Sequence, residues 1–216
     1  DYINLIDLIP TKNKLRKKLK MISKFQTQMF LLRLIDIFLS LILIIFLSII
    51  YFLLIILIFL DGLPIFYLSE RIGKNGLVFV MYKFRSMNEL KRGKMSESKR
   101  LNNFGIFLRR TSLDELPQLF NVLKGDMSLV GPRALPREIE KKIIKKKKII
   151  RRSVRPGITG LSQINYQGKK RNLNQKINLD ITFIKNLTVF NYFKILFKTS
   201  FVLIRRYKGN KKGYSL

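Results

Sequence analysis

The run Ile37-Phe38-Leu39-Ser40-Leu41-Ile42-Leu43-Ile44-Ile45-Phe46-Leu47-Ser48-Ile49-Ile50-Tyr51-Phe52-Leu53-Leu54-Ile55-Ile56-Leu57-Ile58-Phe59-Leu60 is apolar except for two serines and one tyrosine. As a helix it would measure about 36 Å, long enough to cross a bilayer. It is too long for a cleavable signal peptide, and no small-residue cleavage site follows it. Lys12, Lys14, Arg16, Lys17, Lys18, Lys20, Lys24 and Arg33 precede the run, and Arg71, Lys74, Lys83 and Arg85 follow it. Positive charge at both ends places both in the cytoplasm, which a re-entrant helix satisfies and a straight span, the alternative, does not. A bend at Ser48 is expected if its hydroxyl bonds back to a carbonyl one turn earlier. Arg33 and Asp36, three apart at the rim, read as a paired anchor.

Beyond Asp61-Gly62-Leu63-Pro64, which ends the helix, Ile65–Ile72 and Leu77–Phe84 are β-prone runs around Gly73-Lys74-Asn75-Gly76, and they predict a hairpin. Lys83 and Arg85 alternate with Phe84 and so share a side, as on a solvated strand face. Asn88 to Asn103 is a polar surface segment.

Chemistry concentrates between Phe104 and Arg133. Ser112 and Glu115 have capping-box spacing, and Leu116, Leu119, Phe120 and Leu123 recur at helical intervals. Lys124 and Gly125 supply a last-turn cation and a stop. Asp114 and Glu115 would then lie in the first turn, where free N–H groups favour negative charge. Ordinary capping explains them. So does a phosphate site, because Arg109, Arg110 and Arg133 crowd the same stretch and Gly131-Pro132 closes it.

Forty-three Lys and Arg against 13 Asp and Glu give a net charge of +30, so an anionic partner is required. The chain has no Cys and no His, which excludes a thiolate nucleophile, an imidazole base and a Cys/His zinc site. Glu138 to Arg152 alternates Ile-Ile pairs with lysines. It reads as a helix on anionic lipid, with a solvated helix or nucleic-acid patch as the alternative. Arg155-Pro156-Gly157-Ile158-Thr159-Gly160 is a turn that lets backbone approach a ligand. Ile177 to Tyr207 mixes apolar, Phe-rich and basic positions, as one or two interfacial helices do.

The segment Arg109-Arg110-Thr111-Ser112-Leu113-Asp114-Glu115-Leu116-Pro117-Gln118-Leu119-Phe120-Asn121-Val122-Leu123-Lys124-Gly125-Asp126-Met127-Ser128-Leu129-Val130-Gly131-Pro132-Arg133 resembles the signature of the bacterial initiating sugar transferases, the monotopic polyprenyl-phosphate hexose-1-phosphate transferases. Lys83-Phe84-Arg85-Ser86-Met87 and the Arg155–Gly160 hexapeptide extend the likeness from Met29 to Arg206. It implies a mostly α fold with a small β-hairpin, one re-entrant membrane helix and amphipathic interfacial helices around a small cytosolic catalytic domain. Residues 1–28 form a basic extension, 29–61 the membrane helix, 62–207 the catalytic domain and 208–216 a basic tail. A start at Met21 would match the length of small family members, making Asp1 to Lys20 an upstream extension.

The implied reaction moves a sugar 1-phosphate from a UDP-sugar to polyprenyl (undecaprenyl) phosphate, releasing UMP, at the cytoplasmic face of the bacterial inner membrane. Such a reaction begins surface polysaccharide or glycoconjugate synthesis. By resemblance Asp114 is the nucleophile and Glu115 its assistant, and together they hold Mg²⁺. Arg109, Arg110, Lys83, Arg85, Arg133 and Arg155 contact phosphate, and Gly131, Pro132, Pro156 and Gly157 shape the pocket. Anionic lipids are further partners, no nucleic acid is expected, and a homodimer is left open. The chain departs from the family at Ile49, where a Pro normally follows Ser48, and at Ala134, where another Pro is usual. The family's Gly-Arg-Asn element is spread over a Lys-rich loop with Gly168, Arg171 and Asn172. The rival reading is a basic membrane-bound protein that tethers nucleic acid or a partner without catalysis.

Overall fold

The apolar run does not form one helix. In the computed structural model, which describes residues 12–88, 100–165 and 172–208, helix α1 (Lys12–Phe46) stops at Leu47 and α2 (Ser48–Asp61) begins beyond it. Leu47 has φ −92° and ψ 6°, and no side chain caps the new helix. The break falls at the expected place without the expected Ser48 bond. Leu19–Phe46 is long and apolar enough to cross a membrane, with mean hydropathy 2.6. Phe38, Leu41, Ile45, Phe46, Ile49, Phe52, Leu53, Ile56 and Leu60 all point outward. A surface so apolar on its outer side belongs in lipid, and the protein is membrane-associated.

Both arms return to the same body. On α1, Leu32 packs with Val122, Leu129, Phe183 and Tyr192, and Met29, Ile35 and Leu39 flank that cluster. On α2, Tyr51, Leu54 and Ile58 form a second cluster with Phe84 and Leu108. A straight span would carry Ile58 to the far side of a core about 30 Å thick. Here the Ile58 carbonyl accepts from Arg85 of that same body.

The hairpin forms as read: β1 (Phe66–Ile72) pairs antiparallel with β2 (Val78–Phe84), Tyr67 opposite Lys83, across a 3₁₀ turn at Lys74–Gly76. Next come α3 (Asn103–Thr111), a 3₁₀ turn at Leu113–Glu115, and α4 (Gln118–Lys124). Strand β3 (Ser128–Val130) follows, then α5 (Arg137–Lys141) and α6 (Lys145–Arg151). The chain continues through β4 (Gly157–Thr159), α7 (Leu161–Ile164), α8 (Leu173–Lys185) and α9 (Val189–Lys208). Strands β3 and β4 pair in parallel.

Two sequence expectations change, and that of an interfacial helix holds. Half of the Arg155–Gly160 turn is strand β4, and Gly157 is packed against backbone: a Cβ on it would lie 2.0 Å from the Gly131 nitrogen. The basic stretch from Glu138 to Arg152 is no continuous lipid-facing helix. It breaks between α5 and α6, Ile143 turns inward, and only Ile144 and Ile149 are strongly exposed. Its arginines face carboxylates, Arg152 gripping Glu140 with two bonds of 3.0 Å and Arg151 meeting Asp180 at 3.0 Å. Among the phenylalanines, Phe183 is core, while Phe190, Phe193, Phe197 and Phe201 line the outer face of α9 opposite buried Tyr192, Ile195 and Val202. That is the amphipathic pattern of an interfacial helix. The first residues of the basic extension, most of the polar segment after Asn88, Gly168 with Arg171, and residues 209–216 of the tail lie outside the described residues.

Because the chain lacks cysteine, Lys24→Cys and Leu77→Cys each introduce one thiol, on either side of the hairpin. Both are expected to react with a membrane-impermeant maleimide from the same face of sealed vesicles. Labelling from opposite faces would exclude the re-entrant arrangement.

Candidate active site

The acids do not open a capped helix. Ser112 sits at φ 58°, in the left-handed region, where its backbone N–H closes α3 on Arg109 and Leu108, and its side chain caps nothing. A helix running from Leu113 would need an N–H at position 117, and Pro117 has none. The chain therefore makes one tight turn, with Leu116 N–H on the Leu113 carbonyl, and restarts at Gln118. The turn presents Asp114 and Glu115 to Lys83 on β2 rather than along a helix axis.

On β2, Lys83 stands 2.7 Å from Glu115 Oε1 and 3.7 Å from Asp114 Oδ2. Asp114 is only 7% exposed. Burial raises its pKa to about 6, a rise that Lys83 and Arg109 oppose and Glu115 reinforces. A carboxyl so placed is ionised at neutral pH, stripped of most water, and poorly stabilised.

The cations expected at this site divide. Lys83 touches the pair, and Arg109 influences Asp114 while its Nε donates to Ser86 Oγ at 2.9 Å. Arg110, next in α3, has no ion pair with the acids among the described residues. Arg85 is a correction: 5% exposed, it closes the end of α2 by donating to the carbonyls of Pro64 (2.8 Å), Ile58 (3.1 Å) and Gly62 (2.8 Å) and to Asp61 (3.0 Å). Arg155 donates to the Gly125 carbonyl at 2.7 Å, at the other end of α4 from the acids. Arg133 is exposed, and its carbonyl accepts from Arg151. Gly131, Pro132, Pro156 and Gly157 are buried against one another, with Gly131 N–H on Thr159 and Gly157 N–H on Pro132. A small cavity lined by Arg33, Asp36, Tyr192 and Arg155 includes neither acid.

Several residues that position the dyad escaped the sequence reading. Asn121, fully buried, accepts from the Tyr82 N–H (2.9 Å) and donates to the Val80 carbonyl (2.7 Å), so one amide replaces a neighbouring strand and welds α4 to β2. Tyr51 donates to the Leu116 carbonyl. Arg33 and Asp36 do not bond to each other: Arg33 reaches Val122 and Leu123, while Asp36 accepts from Ser128, the Leu129 N–H and Tyr192. An uncharged Asn on a helix carries no signal in one sequence. The polar residues of the membrane run were the visible clue.

Two carboxylates converging on one ammonium mark a point where a cation is favoured, which fits Mg²⁺ with its preference for oxygen ligands. No group of three acidic, His or Cys side chains occurs among the described residues. The remaining ligands would have to be substrate phosphates and water.

Residues 27–206 match the family described as bacterial sugar transferase. The chain belongs to this family. Curated relatives include an undecaprenyl-phosphate galactose phosphotransferase of Salmonella typhimurium, 40% identical over 167 residues, 68% of this chain and 34% of the relative. An uncharacterized sugar transferase of Bacillus subtilis, EpsL, is 41% identical over 138 residues, 62% of this chain and 67% of the relative. A UDP-glucose:undecaprenyl-phosphate glucose-1-phosphate transferase of Escherichia coli is 37% identical over 149 residues, 64% of this chain and 32% of the relative. The chain spans about a third of the length of several relatives, including those from Salmonella and Escherichia coli.

A carbodiimide is expected to join Lys83 to Glu115 by an amide bond, detectable by peptide mass spectrometry. Lys83→Met is expected to raise the pH midpoint of Asp114 ionisation above about 6, since the lysine acts to lower it. A fall in that midpoint would contradict the geometry.

Proposed function

We propose that the chain transfers a sugar 1-phosphate from a UDP-sugar to undecaprenyl phosphate, releasing UMP, at the cytoplasmic face of the bacterial inner membrane. The observation that carries this reading is the dyad: a desolvated aspartate whose pKa is raised to about 6, beside Glu115 and under Lys83, in a member of the bacterial sugar transferase family. Relatives named for undecaprenyl-phosphate sugar transfer support the choice of reaction.

In the first half-reaction an Asp114 carboxylate oxygen attacks the phosphorus bearing the sugar. The bond from that phosphorus to the bridging oxygen breaks, UMP leaves with the electron pair, and an aspartyl sugar-phosphate anhydride forms. In the second, an oxygen of undecaprenyl phosphate attacks the same phosphorus and the Asp114 carboxylate departs. Weak hydration leaves Asp114 reactive, and Lys83 and Arg109 offset charge on the phosphate oxygens. Glu115 orients Lys83 and keeps that ammonium over the reacting carboxylate. Mg²⁺, held by Asp114 and Glu115, would supply further neutralisation of the donor's phosphates. The apolar outer faces of the membrane hairpin and α9 suit an acceptor whose phosphate lies at headgroup level.

Asp114→Asn is expected to lower UMP release by at least about 10³-fold and to abolish a sugar-phosphate adduct trapped on the Asp114 peptide when acceptor is withheld. Glu115→Gln should also lose transfer while staying in the membrane fraction. Since the ionised carboxylate attacks, the rate should fall as pH drops through about 6. Full turnover by Asp114→Asn would exclude the covalent route.

A further inference from the structure

We propose that Arg33 and Tyr51 are positioning residues, the two arms of the membrane hairpin clamping α4 from opposite ends so that the bend in the hairpin and the placement of the dyad are one mechanical unit. The proposal rests on the reading of Asp114 and Glu115 as the reactive pair, although its geometry does not.

Helix α4 has 7 residues, too few to hold itself. At its C-terminal end the guanidinium of Arg33, in α1, donates to the Val122 carbonyl and, at 2.8 Å, to that of Leu123. The Leu123 carbonyl is one a helix end leaves open, and the Val122 carbonyl accepts from the Gly125 N–H as well. At its other end the Tyr51 hydroxyl, from α2, donates to the Leu116 carbonyl, two positions after Asp114. The Leu116 carbonyl also accepts from the Leu119 N–H, so it lies where the acidic turn hands over to α4. Arg33 precedes the break at Leu47 and Tyr51 follows it.

Nothing local enforces that break. Sharp bends usually trace to proline, glycine or an inserted side chain, but Leu47, Ser48 and Ile49 are none of the first two, and no side chain caps α2. The α4 segment bridges the arms instead, acting as a strut across the angle. Asp36, one turn beyond Arg33 and 2% exposed, fixes the α1 arm to β3 and α9 through the Leu129 N–H (2.8 Å), Ser128 (3.1 Å) and Tyr192. A change of angle at Leu47 would therefore move the two clamps relative to each other, and the acids with them.

The test uses the full chain in lipid nanodiscs. Spin labels on cysteines placed at Lys24 and Leu63 report the separation of the arms, and the carbodiimide cross-link between Lys83 and Glu115 reports dyad geometry without turnover. Tyr51→Phe and Arg33→Gln should each broaden the spin–spin distance distribution and lower the cross-link yield severalfold, and Arg33→Lys should restore much of both. The double variant should fall short of the sum of the single effects, as residues acting through one element do. In active protein kcat should fall while KM for the UDP-sugar holds. Unchanged distances and cross-link yields in both variants, with only the thermal midpoint lowered, would overturn the clamp. A wild type that turns over no UDP-sugar would overturn the proposed function alone.

Discussion

A short helix cannot satisfy its own ends, and the catalytic body is arranged around meeting that demand for α4. Carbonyls at its C-terminal end are taken by Arg33, that of the capping Gly125 by Arg155 and the carbonyl before it by Tyr51, and its middle is joined to β2 by Asn121. The two buried clusters meet along the same stretch, with Leu116 packing against the α2 side and Leu119 and Val122 in the larger cluster. Membrane hairpin, β-hairpin and acidic turn thus share one support.

The chain's charge imbalance makes its few buried carboxylates into fixed points. Asp36 ties α1 to β3 and α9, Glu140 holds Arg152, and Asp180 holds Arg151. Asp36 and Glu140 are well supplied with donors, which is what allows a charge to be buried, while Asp180 takes its bond from Arg151 on one oxygen and leaves the other unbonded. Burial raises the pKa of Asp114 as it does those of Asp36 and Asp180, but its nearest cation, Lys83, lies at 3.7 Å and closer to Glu115, at 2.7 Å.

Much of the architecture was legible. Alternation and turn residues specified the β-hairpin, Gly125 ended α4 in the left-handed conformation as its type predicts, and the flanking charges called for both ends of the apolar run on one side. The errors share a cause. Ser112 and Glu115 have capping-box spacing, yet Ser112 was already engaged in closing the preceding helix, and Pro117 denied the next one its first turn. Strand alternation put Arg85 on one side with Lys83, and the resemblance made both phosphate contacts. The strand ends at Phe84, and the arginine folds back onto the end of α2.

Local pattern by itself determined the lipid-embedded segment, the hairpin, the helix stop and the identity of the acidic pair, because each depends on neighbours in the chain. Which cations reach that pair, that a buried asparagine and a membrane tyrosine hold it in place, and that Asp114 rather than Glu115 loses its water were decided only in three dimensions. Burial and hydrogen bonding depend on segments far apart in sequence, and residue spacing carries no record of those distances.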